Sequence, residues 1–349
     1  METILKCEEK AILTLRQLYR QYGYTPYKMS RFEEYDLYVR SKDFLVSDQI
    51  ITFSGDRGKL MALKPDVTLS IVKNAPEEPG VIQKVYYNEN VYRDYREIMQ
   101  AGLECVGDLG SYEMAEVVLL AARSLALLGE NYVLDISHMG LLNAVLDNCG
   151  LEGEQKQKAM TCIRRKSLHE LESICREETL EKLQTLTSCH GASPEVIRQV
   201  LTEEAELLAW EELKSLWDIL EQSGCGSHIR LDFSVGNNMR YYSGVVFRGY
   251  LEGIPSSVLS GGQYDKLPQR LGRKAKAIGF AIYVDLLQGE ESRFDVDTLI
   301  LHDGTVRAQV LTAAAVEAAQ KGTVLVARQA PAGRNWRRLI RYENGEVVL

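Results

Sequence analysis

Four short segments of this sequence concentrate polar groups on runs that are otherwise apolar and rich in β formers: Lys64-Pro-Asp-Val-Thr68, Arg93 through Glu104, Tyr241-Tyr242, and Gly261-Gly262-Gln-Tyr-Asp265. If the second is extended, Arg96, Gln100 and Glu104 share one face, and Gly102 leaves a gap between them. A polar row with a hole in it suits a small zwitterion. Asp66 and Glu104 can hold a cationic amine or an imidazole, while Thr68, Gln100 and Tyr242 supply neutral hydrogen bonds. The same alternation arises on any antiparallel sheet whose outer face is merely solvated. Pattern alone does not choose between the two.

A sheet is needed to present these groups. The spacing of Ala11, Ile12, Leu15, Leu18, Tyr19 and Tyr22, with Gly23 as a stop, predicts a first helix packed on it. Strand-like runs follow at DFLVSDQIITFSG, KLMALKP and GVIQKVYYNENVYR. Ser111 offers an N-cap to a helix through EMAEVVLLAARSLALLG, and NYVLDISH reads as a strand. From about Met139 to Gly226 the apolar period is helical, which predicts a helical insertion. Strand signals resume at HIRLDFSVG, and residues 236–250 read as a strand carrying the tyrosine pair. A Gly-Gly turn at 261–262 and a helix-like segment near GFAIYVDLLQG complete this part. Beyond the acidic linker EESRFD come TLILHDG, a helix from Arg307 to Lys321, TVLVARQ and a short basic helix around Asn335 to Arg341. The expected organisation is a discontinuous core (1–138 and 227–290), an insertion (139–226) and a small C-terminal α/β unit (296–349), the last being short for independent stability.

Composition narrows the class. The 349 residues (39.4 kDa) are 45% hydrophobic and 26% charged, and no uncharged apolar run approaches the roughly 20 residues that cross a bilayer. The first residues carry early charges and do not read as a signal peptide, so a cytoplasmic protein is expected. Seven cysteines at 7, 105, 149, 162, 175, 189 and 225 are widely spaced without a C-x-x-C pair, which suggests reduced thiols. Cys162, Cys175, Cys189, His190, Cys225 and His228 lack paired ligand spacing, and no metal is expected. A net charge of −8 weighs mildly against a surface built for long nucleic acid. The cluster Arg334, Arg337, Arg338 and Arg341 reads better as a solvated face than as an RNA contact.

In order, KPDVTLSIVKN, VYYNENVYRDYREIMQAGLECVG, RYYSGVVFRGYLEG and SGGQYDKL…AIGFAIYVDLL resemble the histidyl-tRNA synthetase catalytic core, over roughly residues 5 to 288. The resemblance implies an α+β fold: a class II synthetase-like antiparallel sheet flanked by helices, with the helical insertion in its expected place. It implies a histidine pocket in which Asp66, Thr68 and Gln100 meet the α-amine, while Glu104 and Tyr242, with Tyr241 beside it, read the imidazole. Arg93 matches the arginine that grips the ATP α-phosphate. Only Asp94 and Tyr95 separate it from Arg96, where the family has a longer loop. The family's Arg-Gly-Leu-Asp-Tyr-Tyr reads Asn237-Asn238-Met239-Arg240-Tyr241-Tyr242 here, so the histidine-specific catalytic arginine is replaced by Asn237. Leu286 stands where a third arginine is expected, and Ser30 stands near the usual proline of the first class motif.

A synthetase core without its phosphate-handling residues is similar to a paralogous group, the regulatory subunits of ATP phosphoribosyltransferase in histidine biosynthesis. That likeness implies a non-catalytic homodimer within a hetero-oligomer. Its partner is a short-form catalytic subunit, its ligand is histidine, and it takes part in feedback control without a cofactor. The sequence holds no acidic pair running into a Thr/Gly-rich phosphate cradle, so phosphoribosyl transfer is expected in the partner. A divergent active histidyl-tRNA synthetase and a stand-alone histidine- or RNA-binding module remain the alternatives.

Overall fold

The computed structural model describes residues 5–40, 49–76, 78, 80–175, 177–235, 241–287, 294–344 and 346–348. The chain divides at 287/288: residues 8–287 form one unit, and 288–349 with the first seven residues form the other. In the large unit, helix α1 (Cys7–Gln21) precedes strands β1 (Thr25–Pro26) and β2 (Phe32–Glu34), helix α2 (Tyr35–Arg40), and strands β3 (Thr52–Ser54) and β4 (Leu60–Leu63). Next come α3 (Thr68–Lys73), the long hairpin β5 (Ile82–Arg93) and β6 (Arg96–Gly107), α4 (Ser111–Leu128) and β7 (Tyr132–His138). Helices α5 (Met139–Asn148), α6 (Gly153–Arg165), α7 (Leu168–Glu172), α8 (Glu177–Ser188), α9 (Glu195–Arg198) and α10 (Glu204–Gln222) follow, with no strand among the described residues between them. Strands β8 (Ile229–Leu231), β9 (Val245–Leu251) and β10 (Leu259–Gln263), helix α11 (Lys266–Arg270) and strand β11 (Lys276–Tyr283) complete the unit.

Eight strands make one sheet in the order β1-β5-β6-β11-β10-β9-β7-β8. The interior pairs are antiparallel, and the outermost pairs, β1 with β5 and β7 with β8, are parallel. Because side chains alternate across a strand, each long strand serves two faces. Tyr86 and Phe280 point to the face covered by α1, where their rings lie 6.2 and 6.0 Å from Tyr19, and the Tyr19 hydroxyl meets Ser124 of α4 at 3.1 Å. The apolar cluster on this side runs on through α5, α6, α8 and α10, so the helices after β7 share one core with the sheet. Tyr87, Gln100 and Glu104 belong to the opposite face. There a second cluster gathers Tyr38, Val67, Leu69, Ile71, Val91 and Tyr264 around α3 and the three-stranded sheet β2-β4-β3.

Several sequence expectations are corrected. Gly261 and Gly262 lie inside β10 rather than at a turn, because the strands on both sides leave no room for a side chain: a Cβ on Gly261 would stand 2.5 Å from the Gly279 carbonyl oxygen. The helix-like reading of GFAIYVDLLQG fails as well. Residues 279–283 end strand β11, which carries apolar residues on both faces, Val284–Leu286 turn into a 3-10 segment, and 288–289 lie outside the described residues. A buried strand carries a continuous apolar run that periodicity cannot tell from a helix. Helix α4 begins at Ser111 rather than being capped by it, and the Glu113 carboxylate accepts the Gly110 N–H at 2.8 Å. Within 236–250 the strand starts only at Val245, and 236–240 lie outside the described residues. Of DFLVSDQIITFSG, Thr52–Ser54 form a strand; residues 41–48 lie outside the described residues.

The C-terminal unit consists of β12 (Val296–His302), α12 (Ala308–Ala319), β13 (Val324–Ala327), β14 (Trp336–Glu343) and β15 (Glu346–Val348), with sheet order β13-β12-β14-β15. The expected basic helix at 335–341 is strand β14. Trp336 and Ile340 are half-buried and Tyr342 is buried on one face, the arginines are exposed, and the strand pairs in parallel with β12. Among the described residues no helix is long and apolar enough to cross a membrane.

The β5–β6 hairpin turns on two residues, with Arg93 opposite Arg96 and left-handed φ at Asp94 (51°) and Tyr95 (60°), as a type I′ turn requires. Tyr95 is 83% exposed and makes this conformation without the freedom of glycine. Replacing Tyr95 with glycine is expected to stabilise the fold by about 0.5–1 kcal/mol, read as a higher urea midpoint at unchanged slope. An unchanged or lower midpoint would contradict the turn assignment.

Candidate functional site

The polar face of the large sheet is shaped by the loop that leads into α3. Lys64 is buried, forms an ion pair with Glu89 at 2.5 Å, and accepts the Tyr92 N–H at its carbonyl at 2.9 Å, which pins the loop to β5. The next carbonyl, that of Pro65, accepts a bond from Arg93 Nε at 2.5 Å. Asp66 then turns back on the helix start, where its carboxylate accepts the Leu69 N–H at 2.8 Å, as short polar side chains do at helix N-termini. Arg93 lies 3.6 Å from the other Asp66 oxygen. Burial pushes the Asp66 carboxyl up, and the Arg93 charge opposes that shift.

Thr68, two residues on, donates to Glu104 Oε1 at 2.7 Å, and the Tyr264 hydroxyl donates to Oε2. Glu104 is almost fully buried on β6. Burial raises its carboxyl to about 8, with the nearby Asp66 adding to the rise and the two hydroxyl bonds opposing it. The sheet makes room for this group: Gly279 lies opposite Glu104 on β11, and a Cβ there would stand 1.7 Å from Oε2. On β10, Gly262 lets the Tyr242 ring approach, since a Cβ there would meet ring carbons at 2.8 Å. Tyr242 meets Tyr241 edge to face at 4.7 Å, and Tyr241 lies 5.5 Å from Tyr264.

Together these groups line one cavity of about 380 Å³. Asp66, Thr68, Arg93, Gln100, Glu104, Tyr241 and Tyr242, the residues singled out from the sequence, all face it. Glu104 and Asp66 already have partners, whereas the Gln100 amide and the Tyr242 hydroxyl form no hydrogen bond among the described residues. Arg96 is not part of the lining. Although it shares the face of Gln100, it sits at the hairpin end and is exposed. Nor is Gly102 an open gap, because a Cβ there would stand 2.7 Å from the Tyr87 hydroxyl, which fills that space.

Sequence reasoning passed over Tyr264, Tyr87, Tyr283 and Arg248. Tyr264 had a signal, since it lies in the polar segment 261–265. Tyr87 and Tyr283 sit in strand runs outside the four polar segments singled out. Asn237 and Arg240 lie outside the described residues. Leu286 packs its side chain on the main apolar cluster.

Residues 5–287 match the family model described as histidyl-tRNA synthetase. A curated relative, the ATP phosphoribosyltransferase regulatory subunit of Clostridium kluyveri, is 28% identical over 303 residues, covering 80% of this chain and 77% of that protein. Among solved structures, the ATP phosphoribosyltransferase regulatory subunit/histidyl-tRNA synthetase from Bacillus halodurans gives a TM-score of 0.78 at 24% identity, covering 96% of this chain and 93% of that one. A chain of the ATP phosphoribosyl transferase (HisG:HisZ) complex from Thermotoga maritima gives 0.64 at 19% identity, with coverage of 79% and 97%. The fold is thus the class II, histidyl-tRNA synthetase-like one: a large mixed sheet flanked by helices, with a small C-terminal sheet unit.

The state of Glu104 has a measurable consequence. The folded protein keeps a proton on this carboxyl up to about pH 8, while the unfolded chain releases it near 4.5. Stability from this group is therefore fully present below the unfolded value and is lost as pH rises through the folded one. Glu104→Gln carries no such proton. The stability advantage of wild type over Glu104→Gln in urea titrations is expected to shrink between about pH 5 and pH 8. A difference independent of pH would contradict a buried, neutral Glu104.

Proposed function

The chain belongs to the histidyl-tRNA synthetase family, and we propose that it is a non-catalytic regulatory subunit of ATP phosphoribosyltransferase whose cavity binds histidine. Curated relatives at 25–28% identity carry that subunit name. An asymmetry in the large unit supports the reading. Every side chain matched to amino-acid recognition lines the cavity: Asp66, Thr68 and Gln100 for the α-amine, Glu104, Tyr241 and Tyr242 for the imidazole. The positions matched to phosphate chemistry have changed. The loop after Arg93 is a two-residue turn, Leu286 is apolar packing, and Asn237 replaces an arginine.

Amino-acid activation places negative charge on a pentavalent α-phosphorus, and a preorganised guanidinium stabilises that state more than the ground state. Asparagine carries no charge to do so. The remaining Arg93, a relic of the phosphate site, is held by Asp66 and the Pro65 carbonyl, where it now shapes the amine end of the pocket. In this account the protein works in the cytoplasm as a homodimer within a hetero-oligomer. Its partner, a short-form catalytic subunit, carries out phosphoribosyl transfer and depends on it for activity. Histidine in the cavity reports end-product level, and linkage requires that histidine and the partner's active-state ligands oppose each other equally at equilibrium.

Calorimetry tests the reading. Histidine is expected to bind wild type, and Glu104→Ala is expected to weaken it roughly ten- to a hundredfold, the worth of one or two bonds to a charged or strongly polar group. The same wild-type protein should show no histidine-dependent ATP–pyrophosphate exchange. Undiminished affinity in Glu104→Ala would move histidine to another site, and robust exchange would make the chain a working synthetase.

A further inference from the structure

The cavity floor and its two walls can be read from the strand register. Tyr87, Gly102, Ala281, Ser260 and Arg248 stand in one cross-strand row, and Glu104, Gly279, Gly262 and Val246 in the next. Small residues on β11 and β10 therefore pave a floor between β6, which carries Gln100 and Glu104, and β9, which carries Arg248. Three strand spacings separate those walls at the backbone, about 14 Å. Both acidic groups, Asp66 and Glu104, lie toward the β6 wall. Arg248 lines the opposite one, where its charge acts on the Tyr242 phenol.

Arg248 makes no ion pair or hydrogen bond among the described residues. This holds although the buried Asp135 is its direct cross-strand neighbour on β7 and keeps an Oδ1 without a partner. The other guanidinium in the cavity, Arg93, is already engaged by Asp66 and the Pro65 carbonyl. A half-buried guanidinium that bypasses an adjacent carboxylate and faces a cavity is suited to a planar anion on the ligand, which it can grip with two parallel bonds. We infer that Arg248 binds the α-carboxylate of the amino-acid ligand, so that the cavity reads a zwitterion from end to end. This inference rests on the histidine reading above and assigns the one ligand group that reading leaves without a partner.

Calorimetry with histidine, histidinol and histamine, the last two lacking the carboxylate, separates the two claims. Wild type is expected to prefer histidine over both analogues by roughly ten- to a hundredfold. Arg248→Gln should weaken histidine by a similar factor and leave histamine unchanged, so that the preference collapses, and the retained histamine affinity shows that the variant is folded. Arg248→Lys, which keeps the charge without the paired donors, should fall between them. Equal loss of histidine and histamine in Arg248→Gln, unaltered histidine affinity in it, or no preference in wild type would overturn the assignment while leaving the histidine pocket standing. Failure of wild type to bind histidine at all would overturn both.

Discussion

The burial of one carboxyl group organises the polar face of the sheet. Glu104 sits on β6, an interior strand of an eight-stranded sheet, where a buried carboxyl group left without partners would be costly. Its two oxygens are met by Thr68 and Tyr264, which come from segments far apart in sequence. Meeting them fixes the start of α3 against β6 and holds the segment after β10 over the cavity. It also dictates a glycine at 279, since any side chain there would displace the carboxyl. The loop from Lys64 to Thr68 is then held at its start by the Lys64–Glu89 ion pair, in its middle by Arg93, and at its end by the Thr68–Glu104 bond. Asp66 is left facing the same space as Glu104.

In the proposed role, that arrangement explains why recognition would outlast catalysis. The groups proposed to hold an amino acid also hold the fold together: Thr68 caps the carboxyl, Arg93 braces the loop, and Tyr241 and Tyr242 pack against Tyr264 and Gly262. On that reading, losing any of them would cost stability as well as binding. In this chain the link after Arg93 is a two-residue turn and Leu286 packs on the apolar cluster, and the sheet is continuous with both in place. In the proposed role the protein keeps a rigid receptor for a small zwitterion and leaves chemistry to a partner.

Much of this was legible in the sequence, for physical reasons that differ by element. The long helices α1, α4 and α10 announce themselves through a sustained helical period, whereas the β5–β6 hairpin was legible only as one strand-like run and a segment whose polar row emerges if it is extended. The site residues were visible because polar groups on otherwise apolar strands are conspicuous. Strand β11 and the Gly261-Gly262 pair were misread because a strand with apolar residues on both faces has no alternation, and glycines chosen for close strand approach look like glycines chosen for a turn. Strand β14 was misread as a helix because its arginines dominate a short window whose true period is two. Arg248 was invisible for a subtler reason. Its meaning lies in a cross-strand register that places it opposite Asp135 and still facing the cavity, and no local window carries that information.

The most direct measurement is the rate of phosphoribosyl transfer by a purified short-form catalytic subunit, alone, with this protein added, and with both in the presence of histidine. The account predicts low activity alone, a stimulated rate on forming the complex, and loss of that stimulation as histidine fills the cavity. A catalytic subunit that is fully active alone and indifferent to this protein would contradict it.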